Sequence, residues 1–80
     1  MLTSADIHAK LKVVPFQPFR IELSSGTTYD VPHPDMLMVT KRYLIIGLID
    51  PLDPLLPDQV ATVSILHVIS VKTIPAAVAA

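Results

Sequence analysis

The histidines are the side chains of this sequence best suited to holding a metal ion or moving a proton near neutral pH. His33 stands two residues before Asp35, with Pro34 between them, and His67 lies in Leu66-His67-Val68. Two imidazoles and a carboxylate could ligate a metal, so His33, Asp35 and His67 form one candidate set for a metal or small ligand. A plainer reading stands beside it. Aspartate after His-Pro is a common turn residue whose carboxylate accepts a backbone N–H. His67 can bond within a turn or across a subunit boundary, and His8 reads as solvated. Cysteine is absent, which excludes disulfides and thiolate chemistry. Two isolated glycines cannot form a phosphate loop, and neither a nucleophile elbow nor a zinc-hydrolase motif occurs. The lone glutamate, Glu22, shares a strand face with Arg20 and reads as solvated charge. These absences predict a protein that is not an enzyme, with no catalytic residue and no cofactor.

Nucleic acid is the next chemistry to weigh. Six basic residues against seven acidic ones give a net charge of −1. Nonspecific binding to phosphate backbones needs a basic excess that is missing here. A local patch could still form from Arg20, Lys41, Arg42, Tyr43, His67 and Lys72 if copies repeat around an axis, because a ring multiplies a small patch. Phe16 and Phe19 could stack on bases. Their flanking prolines and apolar neighbours favour a core anchor instead.

The composition points towards protein partners. Hydrophobic residues make up 51% of the 80 and charged residues only 16%, against roughly 25% charged in ordinary domains. A chain this short has too little interior for so much apolar surface, so part of it is expected to face another chain. Leu52, Leu55, Leu56, Ile65, Ile69 and Val71 are the candidate contacts. No apolar run approaches the roughly 20 residues that span a bilayer, and the N-terminus lacks the pattern of a secretory signal. A soluble cytoplasmic protein is the expectation.

The elements that must position these residues are legible from periodicity. Residues 3–13 read as a helix, with Thr3 or Ser4 as N-cap, Asp6 at a capping-box spacing and Ile7, Leu11 and Val14 on one stripe. Pro15-Phe16-Gln17-Pro18 is a stiff corner. Phe19, Ile21 and Leu23 alternate with polar residues, as do Tyr29 and Val31, and Ser24-Ser25-Gly26 lies between them. That is a half-buried hairpin, with Gly26 supplying the positive φ of its turn. The expected strands are about 19–24, 27–32, 36–49 interrupted near 41–42, 60–65 and 69–74. Pro32 and Pro34 bend or break the chain before the third strand. Tyr43 to Ile49 is apolar on both faces, which predicts cover on both sides, and Gly47 predicts a bulge or bend. Residues 50–59 are a Pro-Asp loop, and 75–80 a frayed tail.

A short helix followed by five strands, with a tight turn before the last, resembles the Sm-like order over roughly residues 4–74. Ile21-Glu22-Leu23-Ser24-Ser25-Gly26 looks like the first Sm strand and its turn. Residues 27–42 look like the long bent second strand. Ile65-Leu66-His67-Val68-Ile69-Ser70-Val71 is similar to the Tyr-Lys-His-Ala-Ile-Ser stretch of the bacterial Sm-like RNA chaperones, matching at His67, Ile69 and Ser70. Leu66 replaces the family's lysine, Pro32 to Asp35 replaces its acidic-aromatic strand end, and the Pro-Asp loop is an insertion. The pattern of Pro15-Phe16, Pro18-Phe19, Ile21 and Leu23, then His33-Pro34-Asp35 and Leu66-His67-Val68, also looks like a group of small, uncharacterised bacterial proteins, a resemblance that implies no activity.

Together these readings predict a mainly β fold. It is a small bent antiparallel sheet or barrel, Sm-like or SH3-like, of about five strands with one N-terminal α-helix. The leading functional expectation is a non-enzymatic, self-associating module that also serves a larger protein as an assembly or accessory subunit. The alternatives are an Sm-like ring binding RNA and, behind it, a metal or small-ligand protein.

Overall fold

The computed structural model describes residues 2–48, 52 and 59–75. Its architecture is mainly β: one N-terminal helix and six strands in two three-stranded antiparallel sheets.

The helix α1 spans Ser4–Leu11. Thr3 caps it: its hydroxyl oxygen accepts the Asp6 N–H at 3.2 Å, and the Asp6 carboxylate accepts the Thr3 N–H at 2.9 Å. This reciprocal pair is a capping box with aspartate in the acidic position. Ile7 is fully buried, and Leu2 and Leu11 pack against the core beside it. The helix closes at Lys12, well before Pro15, so Val14 leaves the expected stripe and is 92% exposed. Beyond the corner, Phe16 and Phe19 meet with ring centroids 5.9 Å apart, and Phe19 is fully buried.

The first sheet has the order β2-β1-β6, from β1 (Phe19–Leu23), β2 (Thr28–Val31) and β6 (Val68–Thr73). The β1–β2 turn is closed by the Gly26 N–H on the Leu23 carbonyl and the Leu23 N–H on the Thr27 carbonyl, both at 2.9 Å. Gly26 has φ +92°. A turn that ends on a left-handed glycine is a standard three-residue hairpin connection. Inward-facing Phe19, Ile21, Leu23 and Val31 are buried.

The chain crosses from one sheet to the other at the His-Pro-Asp stretch. A 3-10 turn, Pro34–Met36, separates β2 from β3 (Leu37–Val39). Proline removes the ladder donor here, so a single long strand cannot continue. The second sheet runs β3-β4-β5, with β4 at Tyr43–Leu48 and β5 at Gln59–Ser64. Its register is unbroken from Tyr43↔Ser64 to Leu48↔Gln59, so Gly47 sits in a regular ladder and makes no bulge. The register shifts instead in the β1–β6 pairing, between Glu22 and Leu23.

The core between the sheets is apolar throughout, with Leu44, Ile46 and Val63 of the second sheet meeting Ile7 and the first sheet's residues, Val68 among them. No polar or charged side chain is buried among the described residues. β4 does not have the two-sided cover expected of it. Leu44 and Ile46 face the core, but Tyr43 is 51% exposed on the other face, and Met38, opposite Ile45, is 61% exposed.

Candidate interaction surface

A second 3-10 turn, Ile65–His67, joins β5 to β6 and ties the two sheets together. The Ile65 N–H donates to the Arg42 carbonyl at 3.0 Å, in the β3–β4 turn. The Ser24 N–H donates to the His67 carbonyl at 2.8 Å, in the β1–β2 turn. The Ser64 hydroxyl accepts the Leu66 N–H at 3.3 Å. Bonded to both sheets, the turn buries Ile65 and leaves Leu66 78% exposed. The two strands it joins are outer strands: β5 pairs with β4 and β6 with β1, and neither has a second partner among the described residues. Such edges offer a row of backbone donors and acceptors to another chain.

The expected partner contacts divide on this frame. Ile69 is exposed on β6, while Val71 is half-buried and packs against the core. Ile65 belongs to the core and offers no surface, because the 3-10 turn points it inward. Leu52 is 95% exposed; Leu55 and Leu56 lie outside the described residues. Val60, in the strand expected to carry contacts, is exposed; sequence reasoning missed Leu66 and Met38, both exposed. Leu66 read as an ordinary turn residue, and only the bonds that fix its neighbour inward turn it out.

The expected RNA contacts are spread over both sheets and the turns that join their strands. Arg20 is held by Asp30 across the hairpin, Nε to Oδ1 at 2.7 Å and Nη2 to Oδ2 at 3.2 Å. That bond, with the carboxylate's charge, raises the Arg20 pKa above its ordinary value. Its partner is therefore Asp30 and not Glu22, whose carboxylate accepts the Ser70 hydroxyl at 3.0 Å. Lys72 pairs opposite Arg20 in the first sheet. His67 lines a groove with Ser24, Ser25, Tyr29 and Thr62. Lys41, Arg42 and Tyr43 sit together in and beside the β3–β4 turn, which Thr40 closes by bonding both backbone groups of Tyr43 at 2.9 Å.

The metal set does not assemble. His33 and Asp35 are exposed around the Pro34 turn, and no group of three or more His, Asp or Glu side chains converges among the described residues. Likewise, no helix is long and apolar enough to cross a membrane among those residues. Comparison of the chain with protein-family models, curated proteins and solved structures gives no match.

Proposed function

We propose that this protein is a non-enzymatic, self-associating module that acts as an assembly or accessory subunit of a larger protein in the cytoplasm. The observation that carries the reading is that β5 and β6, two of the four outer strands among the described residues, are consecutive in the chain and carry exposed Val60 and Ile69, with exposed Leu66 in the turn between them. Apolar edge strands recruit another strand by backbone pairing, with alternate side chains supplying specificity. Two different edges on one copy favour head-to-tail association, which closes into a ring when the rotation allows. The helix, the chain's turn from one sheet to the other at Pro32 to Asp35 and the tight turn before β6 support the Sm-like part of the reading. Size-exclusion chromatography with light scattering on untagged protein at micromolar concentration is expected to give an oligomer. A strict monomer overturns self-association.

RNA binding is the second reading, and its support is now Lys41, Arg42 and Tyr43, two exposed cations beside an exposed ring. Arg20 drops out because Asp30 neutralises it. Filter binding of single-stranded RNA at low salt tests it: Arg42→Glu is expected to remove any affinity, and no affinity in the wild type ends the reading.

A further inference from the structure

A shallow groove of about 410 Å³ opens between the β3–β4 turn and the 3-10 turn Ile65–His67, lined by Lys41, Arg42, Tyr43, Ser64, Ile65 and Leu66. Its two walls are tied to each other. The Ile65 N–H donates to the Arg42 carbonyl at 3.0 Å, Thr40 closes the β3–β4 turn on Tyr43, and the Ser64 hydroxyl accepts the Leu66 N–H. The backbone of the groove is therefore set before anything binds, which lowers the ordering cost of a complex.

Two chemistries meet in this groove. Lys41 and Arg42 are exposed, and neither forms an ion pair among the described residues. No lining residue carries a carboxylate, so the charge of the groove has one sign. Beside the cations, Leu66 is 78% and Tyr43 51% exposed. A carboxylate would complete the cations with charge-assisted hydrogen bonds, and an apolar side chain would take Leu66 and the Tyr43 ring out of water. The complementary ligand is apolar and acidic at once. Nucleic acid meets only half of that description: two cations on one copy release few counterions, and Leu66 adds nothing to a phosphate contact. Small-molecule sites enclose most of their ligand, whereas a groove open to solvent suits a length of extended chain.

The position of the groove indicates whose chain that is. Copies joined through β5 and β6 would pair along the ladders of those strands. Of the lining residues only Ser64, the last of β5, belongs to either one. The cations and apolar groups come from the two turns and from Tyr43 at the start of β4. Edge-to-edge association thus leaves the groove free for a different protein. We infer that the groove is the docking site for the larger partner, which enters it with an extended segment bearing an aspartate or glutamate beside an apolar side chain. The carboxylate lies on Lys41 and Arg42, and the apolar side chain lies against Tyr43 and Leu66.

This inference rests on the accessory-subunit reading and gives its partner a chemistry. The probe is a phage-displayed library of random dodecapeptides selected on the full chain, with the chain carrying Arg42→Glu as counter-selection. The enriched peptides are expected to place Asp or Glu within a few positions of a large apolar residue. A labelled synthetic copy of one of them is expected to bind saturably by fluorescence anisotropy. Arg42→Glu and, separately, Leu66→Ser are each expected to weaken it at least tenfold. Both side chains are exposed, and circular dichroism verifies that each variant is folded. No enrichment, enriched peptides without an acidic residue, or binding indifferent to both substitutions overturns the inference. So does nucleic acid that copurifies with the wild type and is lost with Arg42→Glu, which would assign the groove to RNA. An oligomer that Arg42→Glu dissociates also overturns it, by assigning the groove to a second copy. Native mass spectrometry of the chain from its own host separates the two failures. If no larger protein is held at fixed ratio, the accessory-subunit reading falls and this inference with it. If one is held equally well by the Arg42→Glu and Leu66→Ser chains, the inference alone falls.

Discussion

Arg20 and Glu22 lie two positions apart on β1, yet each takes its bonding partner from a different neighbouring strand: Asp30 on β2 and Ser70 on β6. Spacing along one strand says which side chains share a face, and only the register between strands says which of them touch. Hence Arg20 read as a candidate RNA contact in the sequence and is a hairpin ion pair in the fold. The cap of α1 was legible, because Thr3 and Asp6 are local to one turn. There the Thr3 backbone N–H, with the Thr3 hydroxyl beside it, holds the Asp6 carboxyl below its ordinary value of 3.8. A depressed folded pKa gives stability that is present above the ordinary value and lost as pH falls through the lowered one. Thermal melts of wild type and Asp6→Ala are therefore expected to differ near neutral pH and to converge in acid below 3.8. Gly26 gives a second single-residue test. A Cβ built there meets nothing within 4 Å, so the cost of Gly26→Ala comes from φ +92° alone. Urea denaturation is expected to report a loss of about 1 kcal/mol.

Among the elements, the β1–β2 hairpin could be read directly, because alternation and a turn glycine are local signals. The outcome was different for β4. Its run of apolar residues implied cover on both faces, but periodicity cannot distinguish a face covered by its own chain from one left for another. Tyr43 and Met38 are exposed on that second face. The helix expected over 3–13 closes at Lys12, which leaves Val14 outside the apolar stripe. These two kinds of apolar position should respond differently to substitution. Phe19→Ala removes a fully buried ring and is expected to cost about 3–5 kcal/mol. Ile69→Lys, on the exposed edge of β6, is expected to leave stability within about 0.5 kcal/mol while placing a charge where an added strand would pair. Chemical denaturation measures the first effect and light scattering the second. Equal losses of stability would remove the distinction.

For the whole molecule, the apolar excess of the composition is resolved into an inside and an outside. Among the described residues, the inside is the core cluster between the sheets; the outside includes Val13, Val14 and Leu52 and, from both sheets and the turn that joins them, Met38, Tyr43, Val60, Leu66 and Ile69. Composition could reveal the excess but could not distribute it, since Tyr43 and Leu66 share a groove only after β4 and β5 have paired. The turn Ile65–His67 has one further consequence. It links the consecutive outer strands β5 and β6, and it is bonded to Arg42 on one side and Ser24 on the other. These bonds hold the two edges at one angle, so that if copies closed into the proposed ring, each would be the vertex of a polygon whose exterior angles must sum to a full circle. A one-residue insertion after Leu66 would change that angle while sparing the core. Native mass spectrometry is then expected to record a different number of subunits, or an open chain of them, from a domain that still folds.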